Sequence, residues 1–358
     1  MRLNLNCPIN TTSYGYVSSY FMKELLALGN EIMHIPIGQN TPDADVVFHL
    51  MKTLSRPGFF HDAACLKIWH QNDLKQFFGS GKKIGFPIFE LENFKPEEIS
   101  SLRTPDELIV CSDWARSVIE ASVPEKNTHV VPLGYNDEIF KQTDLPYTDC
   151  TIFGNFGKWE VRKGHDVLVE IFNKAFEPSD NVMLVMMPHN FFNSAAENNY
   201  WENKYKSSKL SSKIQLLGRQ SNQRGVYDIM SQVHCGIFPS RAEGWNLEAL
   251  EMLACGRHLI ITNATAHTQF CNASNSMLIE VDEYESAYDG KWFDGTFLWR
   301  KLGKDQIDQA IEYMRLIHKR RVDGQLSLNL DGIASAKAFS WKESALKLNN
   351  LISSLIGN

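Results

Sequence analysis

HCGIFPSRAEGWNLEALEMLACGRHLIIT, residues 234–262, places a short apolar run, a polar loop, a helix-length stretch stopped by a glycine, and a second apolar run in succession. Both runs are apolar throughout rather than alternating, as strands are when helices cover both faces of a parallel sheet. The same unit recurs along the chain. RLNLN, EIMHIPI, DVVFHL, LKIWH, KKIGFPI, ELIVCS and HVVPLG read as strands in the first part, and CTIFGNFG, VMLVMMP, KIQLLG, HCGIFPS, RHLIIT and SMLIEV in the second. Helix-length segments separate them, so the class is α/β.

A chain of 358 residues exceeds one comfortable hydrophobic core and predicts two domains. One strand series closes near THVVPLGYNDEIF (128–140), and after the polar KQTDLPYTD a new strand opens at Thr151. The expected domains are 1–148 and 149–338, followed by a helix over 339–358. In that last segment, FSWKESALKLNNLISSLI, Ser340 with Glu343 three positions later reads as a capping box.

The composition, 43% hydrophobic and 22% charged, is that of a globular protein, and no apolar run approaches the roughly 20 residues that span a bilayer. The start has no secretory h-region, and seven scattered cysteines without a CxxC pair argue against a disulfide framework or a zinc knuckle. A cytoplasmic protein is expected. A net charge of −6 provides no global attraction to nucleic acid.

On a helical wheel of about 100° per residue, Leu247, Leu250, Leu253 and Ala254 form a core face, Glu251 falls about 40° past Leu247 on its rim, and Glu248 points further away. A carboxylate beside an apolar stripe is costly to desolvate without partners, and a ligand bearing hydroxyls would supply them. Glu243 lies at the carboxyl end of a strand, where open parallel sheets bind ligands. Gly244 permits close backbone approach, and the N–H groups of residues 245–248 face any anion at the helix start, worth roughly 0.3 to 2 kcal/mol.

A second stretch, GNFGKWEVRKGHD (154–166), also follows a strand and offers Lys158, Arg162 and Lys163, charges suited to a diphosphate. It is neither GxGxxG nor GxxxxGK[ST], which sets aside a dinucleotide fingerprint and a P-loop.

EGWNLEALE with its E-x7-E spacing, GKWEVRKG and PLGYNDEIF together resemble the retaining glycosyltransferases of family four, group 1, whose type-B architecture has two Rossmann-like domains facing a cleft. The resemblance implies that the C-terminal helix crosses back to the first domain. It also implies that Lys158, where the family usually has arginine, and Lys163 hold the donor diphosphate and stabilise it as leaving group. Arg162, Gly218, Arg219, Gly244, Trp245, Asn246 and Leu247 would line the donor, Glu243 would accept from sugar hydroxyls, and Glu251 from the ribose. Base selection would rest near MPHN (187–190) and GRQS (218–221).

In the first domain, NTTSYGYVSSYFMKELLALG leads from a strand through a loop containing Gly15 into a helix, and the resemblance makes Gly15 and Tyr16 donor-loop candidates. KIWHQND (67–73) resembles the family strand ending in histidine, which gives His70 a place near the reacting sugar; His49 and His61 are weaker candidates. Glu90, among Phe86, Phe89 and Phe94, is a candidate acceptor contact. The expected activity is metal-independent transfer of a sugar, a hexose for preference, from a UDP- or GDP-linked donor to a carbohydrate, lipid-linked or other hydroxyl, with retention. No cofactor, metal or nucleic-acid partner is expected. Peripheral attachment at the inner membrane face and oligomeric state stay open, and the alternative activities are those of another type-B enzyme, a nucleotide-sugar epimerase or glycogen-type synthase, or of a DNA-base glycosyltransferase.

Overall fold

A computed structural model describes residues 1–357. The chain divides into two compact units, Met1–Asn136 with Ala338–Asn358, and Asp137–Lys337.

The first unit runs β1 (Arg2–Cys7), α1 (Ser13–Ala27), β2 (Glu31–Pro36), α2 (Val47–Leu54), β3 (Ala64–Trp69), β4 (Lys83–Pro87), α3 (Pro96–Leu102), β5 (Glu107–Val110), α4 (Asp113–Ser122) and β6 (Thr128–Val130). Its six strands are parallel, in the order β2-β1-β3-β4-β5-β6. Because β2 lies on one side of β1 and every later strand on the other, the connections reverse direction between β1 and β3, and the loops leaving those strands stand where open parallel sheets bind ligands. The C-terminal helix, Trp341–Ile356, packs on α1: the Trp341 ring stacks on Tyr20 at 5.6 Å and meets Phe21 edge-on at 5.3 Å. Asn30 donates to Asn349 Oδ1 at 2.8 Å. Ser340 Oγ accepts the Glu343 N–H at 3.2 Å, the N-cap half of the predicted box.

The second unit runs β7 (Thr151–Phe156), α5 (His165–Ala175), β8 (Val182–Met187), α6 (Ala195–Lys206), β9 (Ile214–Leu216), α7 (Gln223–Met230), β10 (Cys235–Phe238), α8 (Leu247–Ala254), β11 (His258–Thr262) and β12 (Met277–Ile279), then a hairpin and two helices. The sheet order β12-β11-β10-β7-β8-β9, again parallel, reverses between β7 and β10. Its core is formed by side chains such as Phe153, Leu184, Ile237 and Ile260, all fully buried, each worth about 1.5 to 3 kcal/mol.

Three local expectations need correction. DVVFHL is not a strand: its residues from Val47 onward form α2, which buries Leu50 and Thr53 three positions apart and leaves Phe48 84% exposed. Six residues, four of them apolar, are too few to separate the two periods. The deciding signal is Asp43, whose carbonyl accepts from Val46 and Val47 at 3.1 and 3.0 Å and starts the first turn. Gly15 lies inside the first turn of α1 rather than in the loop before it. A Cβ there would stand 2.2 Å from Asn10 Oδ1, so the position admits only glycine while Asn10 folds over it. Finally, α8 buries residues from Ala249 to Ala254 all round, while Leu247 is half-buried; Glu251 is therefore interior, 6% exposed, not on a rim. Met252 and Ala249 cover the side that the wheel left open, as in a helix packed on several faces.

The hairpin, β13 (Tyr284–Tyr288) and β14 (Asp294–Arg300), has no counterpart among the strands read from the sequence. Its turn begins at Asp289-Gly290, where the Asp289 carboxylate accepts the N–H groups of Lys291, Trp292 and Phe293 at 2.9, 2.8 and 2.9 Å. The helices α9 (Lys304–Val322) and α10 (Leu330–Ala336) close the unit. Among the described residues no helix is long and apolar enough to cross a membrane, and all seven cysteines are free thiols.

Candidate active site

The loops that leave β7 and β10 meet at the reversal point of the second sheet. Gly164, with φ 75°, begins α5, and a Cβ on it would lie 1.9 Å from the Pro239 carbonyl oxygen, so the two loops touch backbone to backbone. Arg241 N–H donates to the Arg162 carbonyl at 2.7 Å, fixing their register. That contact brings the charged side chains of both loops into one cluster.

Glu243 is its centre. Oε1 accepts from Lys163 Nζ and from Ser240 Oγ, each at 2.9 Å, and Oε2 accepts from Arg162 Nη1 at 2.9 Å. Its own N–H donates to Thr265 Oγ1 at 3.0 Å. Arg162 reaches on to Glu160 at 2.7 Å, and Lys158 pairs with the same carboxylate at 3.3 Å. Burial alone would push the Glu243 carboxyl up; Lys163 and Arg162 outweigh it and hold the group far below the usual carboxylate range. Burial would likewise lower Lys163, yet Glu243 and then Glu248 raise it above its ordinary value. Glu160, Ser240 and Thr265 were not among the residues singled out from sequence, although the alternation Lys158, Glu160, Arg162 already carried the signal for the first.

Glu251, eight residues on, is electrostatically the reverse. Burial and then Glu248 push its carboxyl well above the usual range, and Gln223 Nε2 approaches it at 3.4 Å. The α8 N-cap, Asn246, takes the left-handed conformation at φ 78° and accepts the Ala249 N–H at 3.2 Å. Asparagine tolerates that region through local hydrogen bonding. It turns the backbone of Gly244, Trp245 and Asn246, all buried, into the helix start, with Leu247 at its first position. The Trp245 ring lies against Phe270 at 5.1 Å.

Gly218 and Arg219 are exposed on the loop after β9. Arg219 lies over the Phe191 ring at 4.5 Å, and Lys158 over Phe192 at 4.9 Å, so the segments after β7, β8 and β9 share an aromatic edge. The hairpin adjoins it: Trp292 meets Phe192 at 6.1 Å, and Lys291 bonds Glu197 at 3.1 Å. Arg241 ties the hairpin to the cluster loop through Glu285 at 2.5 Å and grips Asp166 with both terminal nitrogens at 2.7 and 2.8 Å.

In the first unit the reversal point again gathers loop residues. His70, immediately after β3, has Nδ1 at 3.2 Å from the hydroxyl of Tyr14, which lies in the first turn of α1 and donates to the Ile88 carbonyl beyond β4. Burial, then Glu90 and Cys111, push the Tyr14 hydroxyl well above its usual range. Tyr16 packs on Tyr20 at 5.2 Å, one turn along α1. Lys158, Arg162, Lys163 and Glu243 thus form one connected group, Glu251 sits on the adjoining helix, Gly218 and Arg219 lie on the exposed edge, and Gly15, Tyr16, His70 and Glu90 belong to the first unit. His49 and His61 stand on its exposed surface.

No curated protein matches the chain in sequence. Among solved structures, sucrose-phosphate synthase from Thermosynechococcus elongatus superposes with TM-score 0.72 at 14% identity over 100% of this chain and 99% of that one. A glycosyltransferase from Rickettsia africae superposes with TM-score 0.71 at 13% identity over 100% and 99%. The Anabaena HepE protein in complex with UDP-glucose gives TM-score 0.69 at 11% identity over 99% and 100%. Residues 148–289 match the family model described as Glycosyl transferases group 1. The fold is that of the type-B glycosyltransferases, and the stretch similar to the group 1 family lies within the second unit.

Proposed function

We propose that the protein transfers a sugar from a nucleotide diphosphate sugar to an acceptor hydroxyl, with retention at the anomeric carbon and without a metal ion. The observation that carries this reading is the pairing of two unlike buried carboxyls on one loop and helix, Glu243 held ionised by Lys163 and Arg162, Glu251 pushed toward its neutral form. An ionised carboxylate suits the hydroxyls of a sugar, and a carboxyl that ionises when hydrogen-bond donors arrive suits the vicinal hydroxyls of a ribose. The stretch between them begins a helix, whose N–H groups and partial positive charge favour a diphosphate.

Lys163 and Lys158 neutralise the departing diphosphate, and Arg162 holds Glu243 in place from the other side. The chemistry asks little else. As the glycosidic bond to the leaving group stretches, the anomeric centre gains oxocarbenium character and negative charge collects on the phosphate, so fixed cations and helix N–H groups act where charge develops. The departing phosphate oxygen takes the acceptor proton, and His70 orients a hydroxyl. UDP-glucose bound to the Anabaena relative supports a nucleotide-sugar donor of this kind. UDP- or GDP-linked hexoses are the donors proposed here, with a carbohydrate or lipid-linked hydroxyl as acceptor.

The test is proton NMR of a reaction with UDP-glucose or GDP-mannose, in EDTA, with simple glycosides as acceptors or water as the slow acceptor. Turnover giving a product of the donor's anomeric configuration is expected. Inversion, or turnover only after a divalent metal is added back, would overturn the reading.

A further inference from the structure

The hydroxyl of Tyr14 has one proton, and the Ile88 carbonyl, which can only accept, takes it. The same oxygen lies 3.2 Å from His70 Nδ1. With its proton committed to Ile88, the hydroxyl can meet Nδ1 only as an acceptor, which requires the proton of the imidazole to be on Nδ1. We propose that Tyr14 is a positioning residue that sets the tautomer of His70, so that the neutral ring carries Nδ1–H and offers Nε2 as a hydrogen-bond acceptor.

The surroundings fix the ring as well as the proton. Tyr14 and His70 centroids are 4.4 Å apart, Trp69 meets His70 edge-on at 4.9 Å and Tyr14 at 5.3 Å, and the three rings lie at the carboxyl end of β3 and the start of the helix that follows β1, on the ligand side of a parallel sheet. Ile88 follows β4 directly, so the backbone of one strand end dictates, through one phenol, which nitrogen of a histidine on the next strand is basic. This is the arrangement by which a second hydrogen bond to one ring nitrogen determines the role of the other. A group that accepts at Nε2 would orient a hydroxyl by taking its hydrogen bond. Only the identity of that hydroxyl, on sugar or acceptor, rests on the function proposed above.

Nitrogen-15 NMR of the full chain labelled at histidine reads the tautomer without any turnover, with the His70 signal assigned by difference against His70→Gln. Neutral His70 should show a protonated Nδ1 and an unprotonated, deshielded Nε2. Tyr14→Phe, which keeps the ring contacts and removes only the hydroxyl, should shift the population toward Nε2–H and lower kcat roughly tenfold while KM for the donor changes little. A wild-type ring with Nε2–H overturns the proposal, as does a Tyr14→Phe spectrum identical to wild type; should Tyr14→Phe fail to fold, the wild-type spectrum alone decides. Absence of sugar transfer with an Nδ1–H ring would overturn the proposed function and leave the tautomer assignment standing.

Discussion

Lys163 Nζ and Glu243 Oε1 stand 2.9 Å apart on the two loops that flank the strand reversal of the second sheet, both groups buried. A buried pair of this kind is a poor source of net stability but a costly thing to break, since each partner's removal strands the other's charge. Glu243→Gln leaves Lys163 and Arg162 facing an amide, and an unfolding free energy lower by about 3 to 5 kcal/mol is expected. Lys163→Ala leaves Glu243 its bond from Arg162, so about 1.5 to 3 kcal/mol is expected, with turnover reduced about 100- to 1,000-fold. In the double variant the losses should fall short of their sum by about 0.5 to 3 kcal/mol. Denaturant melts of the four proteins measure this, and strict additivity would show that the pair is not coupled.

Glu251 gives a pH dependence of opposite sense. Its folded pKa is raised above the unfolded carboxyl value of about 4.3, so the folded chain holds this proton more tightly, and its contribution to stability is full below that value and lost as pH rises through the folded pKa. Glu251→Gln removes the penalty. The variant should match wild type near pH 4 and melt higher at neutral pH, with the advantage opening across that window; a gap that is constant with pH would rule the assignment out.

Ligand binding should couple to the same proton. If ribose hydroxyls donate to Glu251, they favour its ionised form, so the affinity for UDP should strengthen as pH rises toward the free-state pKa, with proton release on binding. Calorimetry in buffers of different ionisation enthalpy counts that proton. Glu251→Gln should bind more weakly and release none at this site, and equal release from both proteins would count against ribose recognition here.

Lys158 is half-buried, pairs with Glu160 at 3.3 Å and covers the Phe192 ring. A flexible point charge in that position serves a diphosphate less specifically than a planar fork does. Lys158→Arg should keep activity and tighten donor binding by up to about tenfold, whereas Lys158→Ala should raise KM more than it lowers kcat. Steady-state kinetics at several donor concentrations separates the two, and a Lys158→Arg enzyme that binds more weakly than Lys158→Ala would remove Lys158 from the donor site.

Arg241 is the link between cluster and hairpin, through Asp166, Glu285 and the Val161 carbonyl at 2.7 Å. Arg241→Ala should destabilise by about 3 to 5 kcal/mol and expose the amides of 284–300 to faster hydrogen exchange. Unchanged protection of that segment would mean that the hairpin is held elsewhere.

Much of the parallel architecture was legible because uninterrupted apolar runs bounded by polar loops admit few other readings, and twelve of the thirteen runs read as strands overlap the six strands of each sheet. DVVFHL failed where apolar content outran periodicity: the helix start comes from a turn at Asp43 that hydrophobicity does not encode. The hairpin escaped because its strands alternate on an exposed ribbon, leaving Tyr284 and Tyr288 outside, and its turn signal stood alone. The burial of Glu251 was understated because a helical wheel shows one face, while α8 is covered on several by residues distant in sequence. Charges suited to a diphosphate could be picked out along GKWEVRKG; that Arg162 and Lys163 would both turn onto Glu243 depends on the close backbone approach of Gly164 to Pro239, where a Cβ would meet the carbonyl oxygen at 1.9 Å, and a linear string does not contain that contact.

The proposed function requires one activated donor to be held by Glu251, Glu243 and Lys163 without a metal. Thermal unfolding in EDTA with UDP-glucose, GDP-mannose and ADP-glucose reads that binding, since a ligand at 100 times its Kd adds about 2.7 kcal/mol to the native state. One of the three should raise the melting temperature of the wild type and leave Lys163→Ala unshifted. No shift with any of them, or an equal shift in the variant, would contradict it.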